Sequence, residues 1–136
     1  MSFNKNKIIL INPPGVCGRF SVKLSFLPLG LAYLGAVLRN NGYDVFALDA
    51  SVEDFYNEKH CGQLLIFGLS TEGIKERIRQ INPYILGISC AFTVKYRLAI
   101  DIAKAAKEVG VPYVVLGGPH ASAMAKEILE NEPSID

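Results

Sequence analysis

Four short, largely apolar runs recur along the chain, and each stops at a glycine, a proline or a polar residue. They are Lys7–Ile11, Tyr43–Asp49, Tyr84–Ser89 and Val111–Leu116. Runs this short, bounded by turn-forming residues, are typical of strands buried on both faces of a sheet. The fourth run ends at Gly117-Gly118. Because glycine has no Cβ, a ligand can lie directly against the backbone there.

Helical patterns separate these runs. They cover Leu29–Asn40, the stretch from Thr71 to just before Pro83, Val94–Val109, and Ser122–Glu132. This alternation predicts a doubly wound α/β domain, in which a parallel sheet carries helices on both faces. We expect Val16–Leu27 to be a loop. The apolar stretch Leu64–Leu69 is consistent with either a short strand or part of a helix.

Composition excludes several classes of protein. A length of 136 residues suits one domain, and a net charge of +1 gives no electrostatic basis for binding nucleic acid or an anionic membrane. No apolar run approaches the roughly eighteen residues of a membrane span. The three cysteines, Cys17, Cys61 and Cys90, match neither a zinc site nor a disulfide scaffold. We therefore expect a reducing, cytoplasmic setting, with Cys90 as a core residue.

The loops that follow the strands indicate where a ligand binds. In an open sheet of order 2-1-3-4-5, ligands bind beyond the carboxyl ends of the strands, between the first and third. The loops at that point are residues 12–18 and 90–94, with 117–122 beside them. They are rich in glycine, proline and hydroxyl or amide side chains, and carry very little charge. They suit a large, nearly neutral ligand.

Other chemistries lack their motifs. The first strand is followed by Asn12-Pro13-Pro14-Gly15, which matches neither a dinucleotide fingerprint nor a flavin phosphate loop, and no Walker loop occurs. A phosphorelay receiver needs clustered carboxylates, and Asp49 alone qualifies. Two histidines supply no convincing catalytic triad. The residues therefore predict no catalytic centre in residues 1–136.

Taken together, the motifs resemble the cobalamin-binding domain found at the N-terminus of many radical S-adenosylmethionine (radical SAM) enzymes. The matching segments are Ile11–Pro14, Pro28–Leu34, Asp49–Ala50, Gly87–Ser89, Phe92–Thr93 and Gly117–His120. They follow the family's order over nearly the whole chain. The most specific pair is the Pro-Leu-Gly-Leu helix start and Gly-Gly-Pro-His after the fourth strand.

The resemblance implies a flavodoxin-like (Rossmann-like) fold, with cobalamin held along the strand ends. It assigns cofactor binding to Asn12, Pro13, Pro14, Gly15, Ser89, Phe92, Thr93, Gly117, Gly118, Pro119 and His120. Ser89, Thr93 and the glycines would line the slot for the nucleotide tail, although Ala91 stands where the superfamily usually has leucine. Where that superfamily has the cobalt-ligating histidine of D-x-H-x-x-G, this chain has residues 12–18 and no histidine. We therefore predict base-off cobalamin without a histidine lower ligand, and no metal ligand from the protein.

The resemblance also implies a larger parent enzyme. The C-x-x-x-C-x-x-C motif of the radical SAM iron–sulfur cluster does not occur in residues 1–136. We therefore expect residues 1–136 to be one cobalamin-binding domain that stops before a fifth strand and before a covalently linked radical SAM domain. That domain would add the cluster, S-adenosylmethionine and a reaction such as methyl transfer. An open sheet edge predicts pairing into a homodimer.

Simpler interpretations stand beside these. The chain fits a generic flavodoxin-like domain that binds a nucleotide or another protein, without cobalamin. His120 suits a surface or capping position as well as ligand contact, and Ser89 and Thr93 suit helix caps. Asp49 is as compatible with capping a helix as with touching a ligand, and Pro13-Pro14 with simply ending the first strand.

Overall fold

A computed structural model describes residues 4–136 and shows a four-stranded parallel sheet. Its strands are β1 (Lys7–Asn12), β3 (Asp44–Asp49), β6 (Ile85–Ser89) and β7 (Tyr113–Gly117). They lie in the order β3-β1-β6-β7. Numbered by the four predicted runs, this order is 2-1-3-4, so the predicted doubly wound α/β fold is confirmed. The ligand crevice expected for this order lies between β1 and β6.

Five helices connect or follow these strands. They are α1 (Leu29–Asn40), α2 (Thr71–Ile81), α3 (Tyr96–Glu108), α4 (Pro119–Ala123) and α5 (Ala125–Asn131). α1 matches its prediction. The predicted helix from Val94 instead begins as a single 3-10 turn, Thr93–Lys95. The predicted helix from Ser122 begins at Pro119, where a fixed φ favours the first helical position, and it breaks at Met124.

The two faces of the sheet are covered unequally. On one face, Ile9, Ile11, Leu86 and Val114 are almost fully buried in the main core, to which α2 and α3 contribute. On the other face, Ile8, Leu10 and Val45 form a smaller cluster under Leu31 and Leu38 of α1. α1 packs on β3 and β1. The half of that face formed by β6 and β7 is therefore left open towards the strand ends.

A second, antiparallel sheet lies beside the first. Its strands are β2 (Gly15–Gly18), β4 (Glu58–Cys61) and β5 (Leu64–Phe67), in the order β2-β5-β4. The prediction of a loop from Val16 was therefore wrong for its first residues, and the ambiguous run from Leu64 is a strand. The register pairs Gly15 with Phe67, and a Cβ on Gly15 would meet the Phe67 ring at 2.1 Å. Only glycine lets that ring pack so closely.

The last residues lie against the outer edge of β7. Asp136 donates its N–H to the carbonyl of Val114 at 3.0 Å, and its carboxylate accepts from the Val114 N–H at 2.7 Å. Lys107 pairs with the same carboxylate at 2.6 Å, which lowers the pKa of Asp136. Ile135 packs on the main core. Within residues 4–136, no helix is long and apolar enough to cross a bilayer.

The unequal covering of the sheet predicts unequal sensitivity to truncation. We expect Ile78→Ala, on the buried face of α2, to lower the free energy of unfolding by about 2–5 kcal/mol because it leaves a cavity. Val37→Ala, at a 58% exposed position on α1, should change it by less than about 0.5 kcal/mol. Urea denaturation followed by circular dichroism measures both. Equal losses would contradict the arrangement described here.

Candidate functional site

A cavity of about 720 Å³ opens at the carboxyl ends of the parallel strands. Its floor is the uncovered half of the sheet, and its walls are the start of α1, the segment before it, and the loops after β6 and β7. Of the residues predicted to bind a cofactor, seven line it: Asn12, Gly15, Ser89, Phe92, Gly117, Gly118 and Pro119. The topological switch point therefore does contain a space of ligand size.

Small side chains create this space. Alternate residues of a strand face the same way, so Gly87 and Ser89 of β6 lie on the same face as Val115 and Gly117 of β7. All four line the cavity. A Cβ built on Gly117 has no heavy atom within 4 Å. Any side chain at position 117 would therefore enter open space that a ligand can otherwise occupy.

Gly118 has a different role. Its φ of +106° is one that other residues rarely adopt, and a Cβ there would meet the Cys90 carbonyl oxygen at 2.8 Å. The same carbonyl accepts from the His120 N–H at 3.3 Å, while the Cys90 N–H donates to the Gly117 carbonyl at 2.7 Å. Gly118 therefore lets the strand-end loops of β6 and β7 join closely. Its neighbour Gly117 keeps the cavity open.

Sequence reasoning missed the outer wall. It is the largely apolar segment from Leu24 to Leu29; the sequence predicts a loop as far as Leu27 and the start of α1 after it, but no role for residues 24–27. Lys23 anchors the segment: its ammonium donates to the Phe55 carbonyl at 3.0 Å, pairs with Glu58 at 2.6 Å and lies 4.3 Å from the Phe55 ring centroid. The hydrogen bond from Lys23 lowers the pKa of Glu58. The apolar character of this loop was the available signal, because such residues need a surface to cover.

A buried polar network fixes one corner of the cavity. Asp49 Oδ1 accepts from Asn12 Nδ2 at 2.8 Å and from Ser51 Oγ at 2.6 Å. Ser51 is 2% exposed, and its Oγ also lies 2.6 Å from Ser25 Oγ. Since Ser51 gives its only proton to the carboxylate, Ser25 is the donor in that pair. Asp49 is thus neither a helix cap nor a cavity-lining group. It orients Asn12 by holding the amide nitrogen of that side chain towards its own carboxylate.

The remaining predicted site residues do not line the cavity. Pro13 and Pro14 are buried. Thr93 Oγ1 lies 3.1 Å from His120 Nδ1, and the His120 ring stands 4.8 Å from that of Tyr96. No side chain caps the 3-10 turn or α3, so neither Ser89 nor Thr93 is a helix cap there. These residues support the strand-end loops from behind the cavity wall.

Lys95 is a cavity residue that the sequence analysis did not select. It is the one charged side chain in the lining contributed by residues 4–136. Its Nζ donates to the Pro13 carbonyl at 3.3 Å, which ties the 3-10 turn to the loop after β1. Burial lowers the pKa of Lys95, although the charge of Asp49 partly opposes that shift. The expectation of very little charge applied to residues 90–94, so it did not include Lys95, which directly follows them.

Cys90 is a core thiol, and the described cysteines belong to no metal-binding cluster. Cys90 is fully buried, its Sγ lies 3.7 Å from the Phe92 carbonyl, and burial raises the pKa of its thiol. The burial confirms Cys90 as a core residue. A thiol with a raised pKa is also a poor nucleophile. Residues 4–136 contain no group of three or more His, Cys, Asp or Glu side chains placed to hold a metal.

A family model described as "B12 binding domain" matches residues 15–136. The chain belongs to this family. Cobalamin binding and the family inferred from the motifs are thereby confirmed, and the generic nucleotide or protein-interaction domain is set aside. The structure fits such a ligand. A Cβ at Gly117 would enter the cavity, so glycine leaves that space for a ligand. The apolar and amide-bearing walls suit the corrin's neutral amide periphery.

Several larger proteins are similar to the chain. One is cytidylyl-2-hydroxyethylphosphonate methyltransferase of Streptomyces wedmorensis, 33% identical over 134 residues, which cover 96% of this chain and 25% of that protein. An uncharacterized methyltransferase of Pyrococcus horikoshii is 31% identical, with the same coverage. The anaerobic magnesium-protoporphyrin IX monomethyl ester cyclase of Cereibacter sphaeroides is 30% identical over 96% of this chain and 19% of its own length. The chain spans a quarter or less of each relative.

The two adjacent glycines should respond differently to alanine. Gly118→Ala should destabilise the fold by about 1–3 kcal/mol, because it combines a positive φ with a backbone clash. Gly117→Ala should stay within about 1 kcal/mol of the wild type, since its backbone is unstrained and its Cβ meets nothing. Thermal unfolding compares the two variants. A Gly117→Ala variant that is the less stable of the pair would contradict these roles.

Proposed function

We propose that this chain is the cofactor-binding module of a longer radical SAM enzyme that catalyses methyl transfer or a related radical reaction. The carrying observation is the cavity at the glycine-rich strand ends, in a chain of the B12 binding domain family. The names of two relatives describe methyltransferases, and a third describes a cyclase. Each extends far beyond the matched region, which supports a parent with further domains. In this proposal those domains supply the fifth strand, the iron–sulfur cluster and the S-adenosylmethionine site.

An exposed apolar surface supports a module that packs against more protein. α1 carries Leu29, Tyr33 and Val37 more than half exposed, and Phe20 and Phe26 precede it at 93% and 76% exposure. Contiguous apolar surface of this kind marks an interaction site in folded proteins. The three free thiols are compatible with a reducing cytoplasm. The homodimer expected from an open sheet edge stays a prediction, which light scattering can check.

The residues of the cavity suit a binding role rather than a reaction. Asn12 is oriented by Asp49 so that its Oδ1 has no partner within residues 4–136, and it can accept from an amide of the ligand. Ser89 adds a hydroxyl on the same floor, and Gly117-Gly118 offer bare backbone. When bound, cobalamin supplies the alkyl-transfer chemistry. The chain holds and orients it and excludes water from one side.

The cofactor is proposed to bind base-off, without a histidine lower ligand. The loop after β1 contains no histidine. His120 lies outside the cavity lining and contacts Thr93 and Tyr96, while His60 is exposed on β4 of the other sheet. Neither imidazole is placed in the cavity wall. In this proposal neither histidine of the chain ligates cobalt.

Binding itself is the first test. We expect the purified chain to retain hydroxocobalamin after desalting, and titration followed by visible absorption to give a saturable curve. Gly117→Leu should weaken binding at least tenfold, because its side chain enters the cavity while the fold stays intact. Ala36→Leu also adds a leucine side chain, at an exposed position of α1 that does not line the cavity, so it is the matched control and should bind like the wild type. Equal binding by wild type and Gly117→Leu would contradict the site.

The coordination state is read from electron paramagnetic resonance of the bound cob(II)alamin. A base-off, histidine-free cofactor shows cobalt hyperfine lines without the triplet splitting that an axial nitrogen adds. We expect this spectrum for the wild type and no change in His120→Ala. A triplet that disappears in His120→Ala or His60→Ala would show that a histidine does ligate cobalt, contrary to the proposal.

A further inference from the structure

We propose that Lys95 binds the phosphodiester of the cobalamin nucleotide tail and thereby determines which end of the cofactor enters this cavity. The inference rests on cobalamin being the ligand and adds a residue to its recognition. It starts from the isolation of one positive charge in an otherwise uncharged cavity.

Lys95 forms no ion pair with any acidic residue that the structure describes. None of the ion pairs formed by residues 4–136 includes it. Its one hydrogen bond, to the Pro13 carbonyl at 3.3 Å, leaves two of its three N–H donors unused. The charge of the Asp49 carboxylate acts to raise the pKa of Lys95, but that carboxylate already accepts hydrogen bonds from Asn12 and Ser51. The ammonium is thus available to an external anion.

The position of Lys95 strengthens its preference for an anion. The side chain is half-buried, and desolvation disfavours its charged form, as its lowered pKa records. α3 begins at Tyr96, directly after it, so the positive end of that helix dipole lies at the same edge. A phosphate oxygen accepting from Nζ would offset the cost of burial, since charge-assisted hydrogen bonds are strong in a partly dry site.

Cobalamin carries one group of the required charge at its periphery. The acetamide and propionamide side chains of the corrin are neutral, whereas the phosphodiester that joins the nucleotide to the ring is an anion. A cavity that contains one cation among amide, hydroxyl, glycine and apolar residues therefore matches the tail better than the ring. This pairing predicts discrimination between cobalamin and cobinamide, which retains the corrin but lacks the nucleotide and its phosphate.

The experiment measures the affinities of both corrinoids for the full chain. We expect Lys95→Gln to weaken hydroxocobalamin binding about tenfold to a hundredfold, as loss of a charge-assisted hydrogen bond would. Its affinity for cobinamide should stay within about twofold of the wild type. Lys95→Arg should retain most of the cobalamin affinity. Lys104→Gln, an equal charge change at an exposed position of α3, is the matched control and should affect neither ligand.

Each other outcome is decisive. If Lys95→Gln weakens both corrinoids equally, or neither, the phosphodiester assignment is overturned while cobalamin binding stands. If the wild type binds neither corrinoid, the cobalamin module itself is contradicted and this inference with it. Circular dichroism and thermal unfolding of Lys95→Gln establish that the variant is folded. The salt dependence adds a second readout: cobalamin affinity should fall more steeply with salt for wild type than for Lys95→Gln.

Discussion

The site depends on one steric constraint, which is the absence of side-chain volume on half of one sheet face. β6 and β7 present Gly87, Ser89 and Gly117 to the cavity, while α1 packs mainly on β3 and β1 and forms a wall of that cavity. The opposite face is filled with large aliphatic residues and sealed by α2 and α3. A sheet can carry such an opening because one well-packed face supplies most of the buried apolar surface. The stability and the binding function of the domain are therefore divided between its two faces.

That division also requires the strand-end loops to be held without bulky side chains. Backbone groups do this work: Cys90 bonds to Gly117 and His120, and Gly118 lets the two loops approach. Side-chain hydrogen bonds add support outside the lining, where Thr93 meets His120, and at the corner where Asp49 fixes Asn12. The floor of the cavity thus stays bare while its edges are rigid. Such preorganisation lowers the entropy cost of ordering the site when a ligand binds.

The sequence predicted the main sheet well, because strands buried on both faces appear as uninterrupted apolar runs between helical patterns. Short, exposed β4 has no such pattern. β2 is only four residues long and lies between prolines on one side and polar residues on the other, so its sequence predicts a loop. The glycine-rich floor of the site was also predicted, since strand order alone brings those loops together. The roles of Lys95 and Asp49 were not, because the direction of a side chain from a loop depends on tertiary contacts. For the same reason Pro13 and Pro14, selected from their motif, are buried behind the wall.

The described lining of the cavity contains one charged side chain, Lys95, among neutral and apolar residues. In neutral, apolar surroundings a single charge has little competition, so one lysine can bias the orientation of a large ligand more than a mixed polar surface could. The loop after β1 contains no histidine, so in the proposed base-off mode the cobalt ion is not a second anchor. Recognition then falls on the periphery and tail of the cofactor.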